Sequence, residues 1–245
     1  VMSAKILLIN GSPRPQNNSS YLLDKAREGV LSVSDVEYKL FEFSGRTFHG
    51  CKGTCTAYCM KNGTYSQKDD LQEFMELYLW ADGIVWAVPT YHAGPPAQVK
   101  AALDRLGNVM SSYFKMKLPR FNKPTGIIVT GSSRYGGQEY VVDFMLQSIT
   151  TTRNLIVGGE SPKANMGVVG YASTWEPGSI LEDTVSLEAS VEMGRNVALT
   201  TKIIKAGIEE IAPELSERYF PDRMFEARRG RDEDIDMAWQ KKESL

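Results

Sequence analysis

Apolar runs and polar loops alternate along the chain at the spacing of an open α/β sheet. Residues 5–10 (KILLIN) are apolar on both faces and end in Gly–Ser–Pro, which predicts a buried parallel strand. Ser19 and Ser20 are expected to cap a helix running to about Val30. Residues 35–41 (DVEYKLF) alternate and predict a second strand. A loop over 42–67 holds His49 and all three cysteines. Asp69 and Asp70 then open a helix through about Trp80, with acidic groups at its positive end. Residues 83–88 (GIVWAV) give a third strand, followed by the helical run AQVKAALDRL with Pro96 suited to its first turn. Residues 124–130 predict a fourth strand and residues 138–150 the next helix. A last strand is carried by 155–157 and 166–171, interrupted by a loop around Gly158–Asn165. The final helix is expected over 180–212, broken near Ser190.

Strand and helix alternate five times, so the expected architecture is an open parallel sheet with helices on both faces. Ligands of such sheets bind beyond the carboxyl ends of the strands, where the strand order reverses. Three polar, glycine-containing loops follow apolar strands here, at 11–20, 89–96 and 131–137. They would converge on that edge. The first carries Gly11–Ser12–Pro13–Arg14 and then Asn17–Asn18–Ser19–Ser20. A helix start leaves amide N–H groups unpaired and favours negative charge. Ser12, Asn18, Ser19 and Ser20 add side-chain donors and Arg14 adds charge, so a phosphate fits. The glycine pattern of a dinucleotide turn is absent, and so is the lysine loop of nucleoside triphosphatases. That leaves a monophosphate held by hydroxyls and amides; the alternative is a plain turn with a serine cap.

Composition narrows the partners. The chain has 245 residues, 42% hydrophobic and 24% charged, enough for a core and a solvated surface. A formal net charge of -2 argues against wrapping nucleic acid or coating an anionic membrane. No run approaches the roughly 20 apolar residues that span a bilayer. The segment VMSAKILLIN lacks the basic start of a secretory signal, so a cytoplasmic location is expected. The expected organisation is one domain over 1–212 and a charged extension over 213–245 that frays or clasps a partner subunit.

The three cysteines, Cys51, Cys55 and Cys59, form a C-x3-C-x3-C run and not a disulfide framework. Three readings stay open. They are free or redox-active thiols; they bind zinc with His49 as fourth ligand; or they hold an iron–sulfur cluster, which normally takes four thiolates.

Four segments in register resemble the NADPH-dependent FMN reductase family of flavodoxin-like proteins, close to its iron–sulfur flavoprotein branch. They are ILLINGSPRPQNNSSYLL (6–23), the cysteine stretch with KDDLQEF (51–74), VPTYHAGPPAQVKAALDRLG (88–107) and TGSSRYGGQE (130–139). Together they organise about the first 160 residues. The resemblance implies a flavodoxin-like sandwich with a five-stranded parallel sheet in the order 2-1-3-4-5, and noncovalent FMN. It assigns the phosphate to Ser12, Arg14, Asn18, Ser19 and Ser20. It sets Pro89, Thr90, Tyr91, His92, Ala93 and Gly94 beside the flavin ring, flanked by Gly131, Ser132, Ser133, Tyr135, Gly136 and Gly137. No dedicated catalytic side chain is implied, because the flavin accepts hydride itself; His92 and Tyr91 are the candidates. Arg134 is read as meeting a nicotinamide nucleotide phosphate or acidic substrate, or as solvated. Asp104 and Arg105 are read as structural or at a subunit interface, not catalytic. In the cysteine run the resemblance expects a fourth cysteine where Thr64, Tyr65 or Ser66 stands, which weighs against a cluster.

The function implied is transfer of electrons from NAD(P)H through FMN to a small acceptor: a quinone, nitroaromatic, azo compound or flavin. The alternatives are electron transfer from a protein donor, as in an iron–sulfur flavoprotein, or a flavodoxin-like carrier. A homodimer or homotetramer is implied.

Overall fold

The computed structural model describes residues 3–54, 58–59, 66–113 and 122–220, with 107–113 as backbone only. Six strands form one sheet: β1 (Ala4–Asn10), β2 (Val36–Glu42), β3 (Gly83–Pro89), β4 (Pro124–Gly131), β5 (Leu155–Ile156) and β6 (Val168–Tyr171). All pairings are parallel, and the order is β2-β1-β3-β4-β5 as expected, with β6 also on β4. The fifth position is one interrupted strand. Leu155 and Ile156 pair with Pro124 and Thr125, and Val168–Tyr171 pair with Ile128–Gly131 further along.

Among the described residues five helices cover the sheet: α1 (Asn18–Leu31), α2 (Leu71–Trp80), α3 (Ala97–Tyr113), α4 (Gln138–Thr151) and α5 (Thr184–Glu210). Because successive strand residues face opposite ways, the central strands feed two cores. Leu7, Ile9, Ile84, Trp86, Val88, Ile127 and Val129 meet α2, α3 and α4 through Phe74, Met75, Val99, Leu106, Val141 and Met145. Ile6, Leu8, Val85, Ala87, Ile128 and Val168 meet α1 and α5 through Leu22, Ala26, Met193 and Val197. The α1–α5 contact is a backbone approach. A Cβ on Gly194 would stand 1.9 Å from the Ala26 carbonyl oxygen, and one on Gly29 1.9 Å from that of Val191.

Two expectations need correction. The cap of α1 is Asn17, not Ser19 or Ser20. Asn17 Oδ1 accepts from Ser20 N at 3.0 Å, and Ser20 Oγ donates back to the Asn17 carbonyl at 2.6 Å. The last helix does not break at Ser190. There the Ser190 Oγ bonds back to the Ser186 carbonyl at 2.7 Å, inside a continuous helix. The interruption lies earlier, between a 3-10 turn at Ser179–Glu182 and α5, where Asp183 caps Ser186 N at 3.2 Å. Beyond α5 two short 3-10 turns reach Tyr219. Most of the charged extension, 221–245, lies outside the described residues.

Candidate active site

The loops after β1, β3, β4 and β6 meet over the carboxyl edge of the sheet. The sheet hydrogen-bonding continues into them and fixes their starts. Gly11 N donates to the Ala87 carbonyl, Thr90 N to that of Thr130, and Ala172 N to that of Gly131, each at 2.8–2.9 Å. Between them lies a cleft of about 260 Å³, lined by Ser12, Arg14, Asn17–Ser19, Pro89–Tyr91, Thr130–Ser132, Ala172, Thr174 and Trp175.

Its inner end is built for an anion. Asn10 Oδ1 accepts from Ser12 N at 3.2 Å, and Ser12 Oγ from Arg14 N at 3.2 Å, turning the chain back onto α1. The Asn17 cap uses the N–H of Ser20, so a helix start leaves those of Asn18 and Ser19 without intrahelical acceptors. The lining contains Arg14 and no carboxylate. Among the described residues no acid pairs with Arg14 across the cleft.

The wall from β3 and β4 is polar and held from behind. Ser19 Oγ and Thr130 Oγ1 share a buried hydrogen bond of 2.7 Å, joining the first turn of α1 to the end of β4. Thr90 Oγ1 is buried without a hydrogen-bond partner among the described residues. A buried hydroxyl in that state costs free energy until something supplies its bond. Tyr91 and Gly94 exchange backbone bonds at 2.7 and 3.0 Å, closing a two-residue turn with His92 and Ala93 at φ 48° and 58°. That conformation is costly for side chains with a Cβ. The turn is braced by the third loop: Gly137, at φ 91°, leaves room for Ala93, whose Cα would stand 2.7 Å from any Cβ there. Gln138, buried, then staples the loop by donating to the Ser133 carbonyl at 2.7 Å and accepting from Gly136 N at 3.0 Å.

Of the sequence candidates, Ser12, Arg14, Asn18, Ser19, Pro89, Thr90, Tyr91, Gly131 and Ser132 line the cleft. Ser20 is turned to the Asn17 cap. His92, Ala93 and Gly94 form the turn beyond Tyr91, and Ser133, Tyr135, Gly136 and Gly137 form the loop beyond Ser132; none of these lines the cleft. Arg134 lies in a second cavity of about 570 Å³ with Tyr171, Ser173, Glu182 and Asp183. Its guanidinium is 5.7 Å from the centre of the Tyr171 ring. Two carboxylates in that cavity oppose a phosphate there. Arg105 is structural: with Asp69 it makes a buried ion pair, and it donates to the His49 carbonyl at 3.1 Å.

Sequence reasoning missed Asn17, Thr130, Ala172, Thr174 and Trp175. Thr130 was signalled by its place at the end of the fourth strand. The loop after β6 was signalled only by the rule that loops at the carboxyl edge meet the ligand.

The cysteine loop leaves β2 at the same edge, over an aromatic cluster in which Phe43 and Phe48 stack at 4.5 Å. Among the described residues Cys51 and Cys59 form no disulfide. Gly53 N donates to Cys51 Sγ at 3.4 Å, and Cys59 Sγ lies 3.7 Å from Thr54 Oγ1. Cys55 lies outside the described residues, as do Thr64 and Tyr65. Among the described residues no three histidine, cysteine or acidic side chains come together as a metal site.

Comparison with known proteins agrees with this architecture. The model of a family described as NADPH-dependent FMN reductase matches residues 4–160. An iron–sulfur flavoprotein of Methanocaldococcus jannaschii is 29% identical over 201 residues, covering 82% of this chain and 99% of its own. One from Methanosarcina thermophila is 30% identical over 201 residues, covering 82% and 97%. Among solved structures, RosB with a bound 8-demethyl-8-formylriboflavin-5′-phosphate intermediate has the same fold. Its TM-score is 0.57 at 18% identity, covering 88% of this chain and 89% of that one.

Proposed function

For a chain that belongs to the NADPH-dependent FMN reductase family, close to its iron–sulfur flavoproteins, we propose that the cleft binds FMN and serves electron transfer from NAD(P)H to a small acceptor. The family is one of flavodoxin-fold oxidoreductases; the acceptor class is our reading and comprises quinones, nitroaromatics, azo compounds and free flavins. The observation that carries the proposal is the cleft itself. An anion-accepting end with an arginine that no acid pairs among the described residues adjoins a wall that holds a buried hydroxyl, Thr90 Oγ1, without a partner among the same residues. Both features suit a flavin monophosphate.

When bound, FMN supplies the hydride acceptance and the onward delivery of electrons. This chain's residues would do the rest. Ser12 Oγ, the N–H groups of Asn18 and Ser19, and the Arg14 guanidinium hold the phosphate. Thr90 Oγ1 offers its free bonding capacity to the cofactor. Pro89–Tyr91 and Gly131–Ser132 border the remainder of the cleft, and the Gly137–Ala93 contact keeps their two loops in one arrangement before binding. His92, at the tip of the turn beyond Tyr91, is the candidate to donate a proton to the reduced acceptor. Among the described residues no helix is long and apolar enough to cross a membrane. Exposed Tyr135 and Tyr140, beside the third loop, suit a face covered by a second copy of the chain.

Anaerobic NADPH oxidation by the FMN-loaded protein, with a panel of those acceptors, tests the reading. Turnover with at least one acceptor supports it. FMN bound without NADPH or NADH oxidation overturns it, in favour of a protein electron donor. The second reading draws on the likeness to iron–sulfur flavoproteins over 82% of the chain and on the three-cysteine loop at the same sheet edge.

A further inference from the structure

The family match ends at residue 160, yet one wall of the cleft comes from residues beyond it: Ala172, Thr174 and Trp175. This segment crosses between two other parts of the site and is fastened at both ends. At its base, Asn18 in the first turn of α1 donates to the Glu176 carbonyl at 3.1 Å and to Ser179 Oγ at 3.2 Å. Its Oδ1 accepts from Gly178 N at 3.0 Å. Ser179 Oγ in turn donates to the carbonyls of Thr174 and Glu176 at 2.8 and 3.0 Å. Toward the third loop, Trp175 Nε1 donates to Ser132 Oγ at 2.8 Å. Trp175 is nonetheless 75% exposed, so this indole is held by its polar edge and not by packing.

Trp175 thus joins the loop after β6 to the loop after β4 beside the cleft by one hydrogen bond. The base is fixed to the same turn that presents the Asn18 and Ser19 N–H groups, and the tip to Ser132 on the neighbouring loop after β4. A large indole placed there has apolar surface to bury against a ligand, and its N–H is already satisfied. We propose that residues 172–180 form a clasp over the cleft, closed by the Trp175–Ser132 hydrogen bond, that retains FMN as a resident prosthetic group. This rests on the FMN reading above and deepens it. The flavin stays through many turnovers, so FMN is not a substrate exchanged at each cycle. Opening of the Trp175–Ser132 bond would ease departure of the ligand, so the clasp acts on the release rate.

The test is FMN release from the loaded protein, followed by the rise of free-flavin fluorescence after dilution to a concentration at which rebinding is negligible. Trp175→Phe keeps a ring and removes the N–H. Ser132→Ala removes the acceptor with minimal loss of volume. Each is expected to speed release by about tenfold, the effect of one hydrogen bond of ordinary net strength. The double variant is expected to be no faster than either single one, because both remove the same bond. Thermal melting of the FMN-free proteins reports whether each variant folds, and Ser132→Ala carries the test if the tryptophan variant does not. Release rates equal to the native protein's in both variants overturn the clasp while leaving the FMN site standing. Failure of the native protein to take up FMN overturns the FMN reading, and the clasp with it.

Discussion

The Tyr78 hydroxyl lies buried near the amino end of β4, where it accepts from Asn154 Nδ2 at 2.6 Å and shares a bond of 3.3 Å with Thr152 Oγ1. Burial outweighs these bonds and pushes its pKa from the ordinary 10.0 up to about 12. Below pH 10 folded and unfolded chains both keep this proton. Between 10 and 12 the unfolded chain loses it and the folded chain does not, so stability falls by a total on the order of 2–3 kcal/mol. Tyr78→Phe should flatten that alkaline limb while costing about 1–2 kcal/mol at neutral pH, since Asn154 loses an acceptor. Urea unfolding of both proteins at pH 8 and pH 11 checks the difference; parallel losses would sink it. Gly137 poses a steric question at the same scale. Gly137→Ala must accept both φ 91° and a Cβ 2.7 Å from Ala93. The expected cost is about 2–3 kcal/mol, together with weaker FMN binding, measurable by urea unfolding and flavin titration. The residues legible in the sequence were those whose roles are local. Ser12, Arg14 and Thr90 follow strand ends directly. Trp175 was not legible, because its partner Ser132 lies 43 positions away and only the tertiary fold joins them.

At the scale of elements, the start of α2 and the middle of α3 are joined by the Asp69–Arg105 ion pair, with the side chains 0% and 5% exposed. The pair also clamps the chain leading to the cysteines. Asp69 Oδ2 accepts from His49 N at 2.8 Å, Arg105 donates to the His49 carbonyl, and Gln67 Nε2 to that of Gly50 at 2.8 Å. Arg105→Met leaves a buried carboxylate unpaired, so the expected loss is about 3–5 kcal/mol. Adding Asp69→Leu should recover part of it, because no charge is then stranded; a double variant as unstable as the sum of the singles would contradict this. The sequence placed acids at the start of α2 for its dipole, but Asp69 is turned to Arg105, a partner 36 positions away. Element order and the interrupted last strand were legible because apolar runs bounded by turn residues carry them. The caps were less so. Asn17, Ser19 and Ser20 all suit an N-cap, and the choice falls on Asn17 because Ser19 is drawn inward to Thr130. The break expected near Ser190 is absent: its hydroxyl bonds to its own helix and sits buried against the core.

At the scale of the whole molecule, the parallel sheet serves to bring four loop ends from distant parts of the chain to one edge. Two cores, one on each face, fix the strands that end there. The cleft combines a helix start from residues 17–19, strand ends at 89–91 and 130–132, and a segment at 172–175. Only the first three were foreseen, since each follows a strong apolar strand, whereas β6 is four residues long and only two of its positions are buried. The central claim is that this cleft recognises the phosphate of a flavin monophosphate. Titration of the ligand-free protein with FMN and with riboflavin, followed by flavin fluorescence, isolates the phosphate, because the two differ by that group. The account predicts FMN binding tighter than riboflavin by about a hundredfold, the effect of a few charge-assisted hydrogen bonds, with Arg14→Ala removing a large share of the preference. Equal affinities for the two flavins, or no binding of either, would contradict it.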